Sequence, residues 1–243
     1  MKYAIVSDIH GNLEALLAVL KDIKRRKADR IVCLGDIVGY YPNPQRCIDL
    51  IGEVAVRCVA GNHDYAAIDK TDTRSFTFFA FSAIEWTKQN LTDAGREFLG
   101  SLPLIYEEGN AAFVHASPHA PEDFAYVLPD DDASVIKAFG SLKQCVNFIG
   151  HTHCPAIICR ENGDILVRSG TSTEIKDDNT YLINVGSVGQ PRDHDNRACY
   201  AIYDTVKKTV AFHRVPYAYK VTQKKIRESK LHAFLAERLE KGR

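Results

Sequence analysis

The chain of 243 residues carries no surplus charge of either sign, with lysine plus arginine equal to aspartate plus glutamate at 31 each. A bulk electrostatic pull on nucleic acid or on an anionic membrane surface is therefore excluded, and any attraction for an anion must be local. No apolar run approaches the ~20 residues that a bilayer crossing needs. No Pro/Gly/Ser-rich linker, charge block, low-complexity stretch or repeat divides the chain, which argues for one domain over residues 1–243, with 64–103 as a helical lobe over the front of the fold. The seven cysteines are odd in number, scattered and never spaced C-x-x-C, which speaks against a disulfide framework and a cysteine zinc site. A reduced cytoplasm is the expected location.

What is present is a strand and helix alternation. Lys2 to Val6 reads as a strand, and Asn12 to Arg26 then places Leu13, Leu16, Leu17, Leu20 and Ile23 on one helical face. The pattern repeats as Arg30 to Leu34, Pro44 to Ile51 and Val54 to Val59, which predicts parallel strands joined by crossover helices. Helices are expected over Arg74 to Asn90, from Thr92, and near Ala133 to Phe139, with strands at Ala111 to Val114 and Val146 to Ile149. From Ala156 the texture turns to closely spaced strands, Ala156 to Arg160, Ile165 to Arg168, Tyr181 to Val185, Ala198 to Tyr203 and Val210 to Val215, which reads as antiparallel sheet. Val221 to Lys241 reads as a closing helix.

Polar groups able to bind a metal gather where these strands end. Asp8-Ile9-His10-Gly11-Asn12 follows the first, and alternation along an extended chain would set Asp8 and His10 on one side. Gly35-Asp36 follows the second and Gly61-Asn62-His63-Asp64 the third, each with glycine at the tight turn. Val114-His115 and Gly150-His151-Thr152-His153 complete the set. Turn-forming Asp and Asn explain each loop taken singly, and a lone histidine is more often structural than a ligand. Five such blocks in one chain, holding five of its nine histidines, are better explained by a metal centre.

In this order, D-x-H, G-D-x-x-G, G-N-H-D, a strand-end histidine and G-H-T-H resemble the calcineurin-like metallophosphoesterase superfamily. The segments GDIVGYYPNP (Gly35 to Pro44) and Gly186 to Asp193 are similar to a subfamily of small prokaryotic phosphoesterases related to diadenosine polyphosphate hydrolases. The resemblance implies an α/β fold, a four-layer α/β/β/α sandwich of two mixed sheets. It assigns Asp8, His10 and His153 to one divalent ion and Asn62, His115 and His151 to a second, with Asp36 bridging them. Mixed nitrogen and oxygen ligands without thiolate suit Mn, Fe, Zn, Ni or Co, of which Mn is favoured. Such ions, roughly 3.5 to 4 Å apart, activate a shared water for in-line attack on phosphorus. With only two carboxylates among the ligands, a loaded centre with a bridging hydroxide keeps roughly one positive charge, the local attraction for phosphate that the neutral composition conceals. His63 matches the histidine thought to assist the leaving oxygen; its alternative role is to orient the ligands.

Substrate selection is less marked. The family's serine/threonine protein phosphatases carry acidic-Arg-Gly where this chain has Gly39-Tyr40-Tyr41, which argues against that activity and removes the usual acidic partner of the catalytic histidine. Arg192, Arg74, His119 and His194 are candidates to grip phosphate, and each could equally be a solvated charge. Tyr40, Tyr41, Tyr65 and Phe124 could stack on a nucleobase or serve as packing residues. The expected partner is a small phosphate-containing substrate, a nucleotide such as a diadenosine polyphosphate, with no membrane role; nuclease activity is a third reading, disfavoured because no basic patch or interleaved basic and aromatic groove is visible. A phosphomonoesterase and a non-catalytic protein-binding scaffold are the alternatives. Cys154, beside His153, raises oxidation of the centre as a further question, for which chance is the simpler reading.

Overall fold

The computed structural model describes residues 1–243. In chain order the first half contains β1 (Lys2–Val6), α1 (Leu13–Arg26), β2 (Arg30–Cys33), α2 (Pro44–Val54), β3 (Arg57–Cys58), α3 (Asn62–Ala66), α4 (Phe78–Gln89), α5 (Asp93–Ser101), β4 (Ile105–Glu108) and β5 (Ala111–Val114). The second half contains α6 (Asp132–Phe139), β6 (Val146–Ile149), β7 (Ala156–Glu161), β8 (Asp164–Arg168), β9 (Ser172–Glu174), β10 (Thr180–Asn184), β11 (Ala198–Asp204), β12 (Thr209–Val215), α7 (Tyr219–Glu228) and α8 (Ala233–Lys241). The strands form two mixed six-stranded sheets, ordered β3-β2-β1-β11-β12-β9 and β4-β5-β6-β10-β7-β8.

Strand alternation explains the layering. Tyr3 and Ile5 of β1 point toward Phe113, Phe148, Tyr181 and Ile183 of the facing sheet, while Ala4 and Val6 pack with Leu16, Ile48 and Leu99 of α1, α2 and α5. On the far side α6 lays Val135, Ala138 and Phe139 on Val114, Ile149 and Leu182. The order is thus helix, sheet, sheet, helix. Because β1 runs parallel to β2, and β5 to β6, their C-terminal ends and following loops collect at one edge of the sandwich.

Four sequence expectations change. The third strand is two residues long, because Val54 closes α2 and Val56 is exposed. The second half is not wholly antiparallel: β10 pairs parallel with β6 and antiparallel with β7. The closing helix is broken, with Lys230 at φ 63° and the His232 side chain capping α8 by accepting from Phe234 N–H. Leu17, expected on the buried face of α1, is 49% exposed. Residues 64–103 contribute Ile84, Leu99 and Leu102 to the same core as β1 and α1, while Phe76 and Ala80 reach the front cleft.

Candidate metal centre

Five of the seven residues expected as ligands sit in left-handed turns rather than on extended strand. Asp8, His10, Asp36, His151 and His153 all have φ between 51° and 67°, a region that non-glycine residues seldom occupy and that recurs at functional sites. Asp8 and His10 therefore face one point because of two successive turns, and simple alternation is not the reason. The turns are held by backbone bonds, Asp8 N–H to Gly35 O and His10 N–H to Asp36 O, and by Gly189 N–H donating to Asp8 O. At Gly61 a side chain would collide with the Asp36 carboxylate, so only glycine lets these two turns meet.

The seven residues converge in two overlapping groups. His10 Nε2 lies 3.1 Å from His153 Nε2 and 3.9 Å from Asp8 Oδ1, and His153 Nε2 lies 3.2 Å from that same oxygen. His115 Nε2 lies 3.1 Å from His151 Nδ1 and 3.2 Å from Asn62 Oδ1. Asp36 Oδ2 stands between the groups, 3.6 Å from His10 and 3.5 Å from His115. The groups Asp8/His10/His153 and Asp36/His115/His151 each have the compactness a metal ion requires.

Ring orientation tests the fit. His10, His115 and His153 each turn Nδ1 toward a backbone carbonyl, of Val38 at 3.1 Å, Leu34 at 2.8 Å and Gln190 at 2.5 Å. Those Nδ1–H groups donate, so the Nε2 lone pairs face inward, two of them at each other. Lone pairs at that distance repel unless a cation or a proton lies between them. Asp8 Oδ1 is buried without a hydrogen-bond partner, and neither Asp8 nor Asp36 has a lysine or arginine to balance it. A buried anionic group of this kind calls for a cation. The residues fit a divalent metal.

The electrostatics agree. Burial raises Asp8 and Asp36, but the histidines around them hold both well below the usual carboxylate range. Burial pushes His10 well below its ordinary value and His151 down to about 3. His115 is the exception: the Asp36 carboxylate outweighs burial and raises it to about 9, a proton there doing part of what an ion would do.

Beside the cluster lies a cleft of about 250 Å³, whose lining includes Asn62, His63, His151, Tyr40, Tyr126 and Arg192. His63 is buried against the rings of His10, Tyr40 and Phe76, with Nδ1 unpartnered. Its backbone N–H donates to Asp36 Oδ1 at 2.8 Å. Arg192 is held by Gln190 Oε1, at 2.8 Å from Nη2. The other three proposed phosphate-gripping residues lie outside the lining. Arg74 has a side chain 91% exposed and paired with Asp72, His119 is engaged by Ser141 at 3.0 Å, and His194 Nδ1 accepts from Arg243. Of the proposed stacking rings, Tyr40 and Phe124 line the cleft, whereas Tyr41 is fully buried and Tyr65 donates to Leu102 O. Burial raises the Cys154 thiol, which works against its oxidation.

Sequence reasoning missed three residues. Asp64 accepts from Ile37, Val38 and Gly61 N–H at 2.9, 3.2 and 3.0 Å, tying two ligand turns together, and its place in G-N-H-D was a usable signal. Gln190 supports His153 by its carbonyl and Arg192 by its side chain. Tyr126 stacks on His151 with centroids 4.0 Å apart and had no local signal.

Residues 1–208 match the model of the calcineurin-like phosphoesterase superfamily domain. An uncharacterised protein of Methanocaldococcus jannaschii is 43% identical over 244 aligned residues, covering 99% of this chain and 98% of that one. The crystal structure of a metallophosphoesterase from Sphaerobacter thermophilus superposes with a TM-score of 0.87 at 38% identity, covering 100% of this chain and 99% of that one. Serine/threonine-protein phosphatase 1 of Salmonella typhimurium is 27% identical over 123 residues, 48% of this chain and 57% of its own. Strand-end ligand turns, inward lone pairs and the match along most of its length place the chain in the calcineurin-like phosphoesterase superfamily, as a phosphate-ester hydrolase.

Proposed function

We propose that the chain hydrolyses a phosphodiester or phosphoanhydride bond of a small soluble substrate, a nucleotide, with two divalent cations of which Mn is favoured. Asp8, His10 and His153 would hold one ion and Asn62, His115 and His151 the other, with Asp36 shared. The observation that carries this reading is Asp36 Oδ2 lying within 3.6 Å of an inward-facing nitrogen in each group. When bound, such a pair supplies an activated water and offsets charge on the phosphoryl oxygens.

The chain's own side chains supply the rest. Arg192, fixed by Gln190, donates to the non-bridging phosphate oxygens. Burial lowers His63 to about 4, with Asp36 opposing, so at neutral pH it is uncharged. With Nδ1 lacking an acceptor, the tautomer bearing its proton on Nε2 is the one able to donate to charge growing on the leaving oxygen, an effect of about 10²- to 10³-fold. Tyr40, Phe76, Phe124 and Tyr126 wall the cleft, exclude water and offer rings to a base or aryl group. One guanidinium suits the single charge of a diester better than the double charge of a monoester. Tyr40, where the protein phosphatases have arginine, fills space against His10 and His63.

The test is turnover of bis-p-nitrophenyl phosphate, p-nitrophenyl phosphate and diadenosine tetraphosphate by Mn-loaded protein of verified metal content. Diester cleavage exceeding monoester cleavage is expected. No turnover of either bis-p-nitrophenyl phosphate or diadenosine tetraphosphate would sink the proposal, and preference for the monoester would replace it with a phosphomonoesterase.

A further inference from the structure

We infer that the substrate carries one phosphate and an uncharged aromatic or hydroxyl-rich leaving group, as a nucleoside phosphodiester does, and that Asp123 selects against longer phosphate chains. This rests on the hydrolase reading above and narrows its substrate class.

The cleft is the first ground. Its volume of about 250 Å³ is below the ~300 to 1,000 Å³ common for ligand sites. A phosphate with one ring system fills such a space, and most of a tetraphosphate bridge between two nucleosides would extend past its open mouth, where Asp123 stands.

Charge is the second and independent ground. Arg192 is the one cationic side chain in the lining, against two carboxylates, Asp72 and Asp123. Asp72 is matched by Arg74, whose Nε donates to Oδ2 at 2.6 Å, so this pair is nearly neutral. Asp123 has no such partner. It stands at the end of a short 3₁₀ turn, Pro121–Asp123, between Ala120 at φ 46° and Phe124 at φ 49°. Phe124 is anchored by its buried ring, 6.0 Å from that of His115, which sets the backbone beside it, and the solvent-exposed Asp123 carboxylate lines the mouth of the cleft. Thr71, Ser75 and Thr77 supply hydroxyls to the same lining, and Phe76, Phe124 and Tyr126 supply rings.

The first phosphate has Arg192 and the metal-binding floor to attract it. A second or third would have neither within the cleft and would meet an unbalanced carboxylate. At a separation of ~6 Å in water each such encounter costs about threefold in binding. Rejection of the wrong charge, rather than added grip on the right one, is a common route to specificity.

The experiment compares kcat/KM for thymidine 5′-monophosphate p-nitrophenyl ester and diadenosine tetraphosphate at fixed free Mn, in the native protein and in Asp123→Asn. Equilibrium binding of thymidine monophosphate and triphosphate is measured on the same samples. The single-phosphate diester is expected to lead by about tenfold at low salt, Asp123→Asn to narrow that lead by about threefold, and added salt to narrow it as well. A tetraphosphate cleaved as well as the diester, or a ratio unmoved by Asp123→Asn, overturns the inference while leaving the hydrolase reading intact. If neither ester turns over, the hydrolase substrate reading falls and binding decides this one: a triphosphate held at least as tightly as the monophosphate overturns it.

Discussion

At Asp36 a single carboxylate oxygen faces His10 on one side and His115 on the other, and its second oxygen accepts the His63 backbone N–H. Replacing it with asparagine keeps the shape and the hydrogen bond but removes the charge that both groups share. Asp36→Asn is expected to lose at least about 10³-fold in kcat/KM while staying folded. Metal analysis by mass spectrometry and a circular dichroism melt check both parts; a folded variant that keeps full activity contradicts the bridging role. Proton linkage gives a second outcome, for the metal-free protein. Burial holds His63 at about 4 and His151 at about 3, below the ordinary 6.5, so the unfolded chain binds protons there that the native one refuses. Their contribution to stability is present above 6.5 and is lost as pH falls through those values. His115, raised to about 9, runs the other way: its contribution is present below 6.5 and is lost as pH rises through about 9. Denaturant midpoints of metal-free protein should therefore peak near 6.5 and decline on both sides, and a monotonic profile would count against these assignments.

Among the elements, α7 and α8 have more to do with the cleft than their place in the chain implies. They lie beyond residue 208, where the match to the family model ends. Their Ile226, Leu235 and Leu239, with Leu231 from the link between them, form one core with Tyr40, Tyr41 and Ala80. Arg238 reaches to within 5.7 Å of the Tyr40 ring, and Arg192 approaches the same ring at 5.9 Å. The tail also fixes the loop after Arg192: His194 N–H donates to Gly242 O at 2.9 Å and Asn196 Nδ2 to Glu240 O at 3.1 Å. Arg238→Met should raise KM for the diester about three- to tenfold with a smaller change in kcat, because it loosens groups that hold substrate. An equal fall in kcat and active fraction would instead indicate simple destabilisation. Little of this was legible beforehand. Strand ends with glycine and a polar group mark the ligand turns because each is a local pattern, and the helix periodicities likewise gave α1, α2 and α6. The break at Lys230 precedes Leu231, which shares a core with the distant Tyr40 and Tyr41, and the parallel pairing of β10 with β6 depends on partners far apart in sequence. Arg74 and His194 were singled out for lying near motifs in sequence, yet their side chains are engaged elsewhere. Tyr126 comes from a loop with no periodicity and reaches the site only through the fold.

For the whole molecule, two sheets with a shared apolar core bring their loop ends together at one edge. The loop from Leu34 to Val38 crosses that edge and touches both halves of the centre: Leu34 O takes the His115 proton donor, Val38 O takes that of His10, and Asp36 lies between them. This short piece of backbone acts as a yoke. On the proposed two-ion reading, an ion in either half would fix the loop and so prepare the other half, making the two positions easier to fill together than separately. A calorimetric titration of metal-free protein with Mn should show cooperative uptake, and Asp64→Ala, which removes the oxygen that accepts from Ile37 and Val38 N–H and lies outside the proposed ligand set, should turn it into two independent steps.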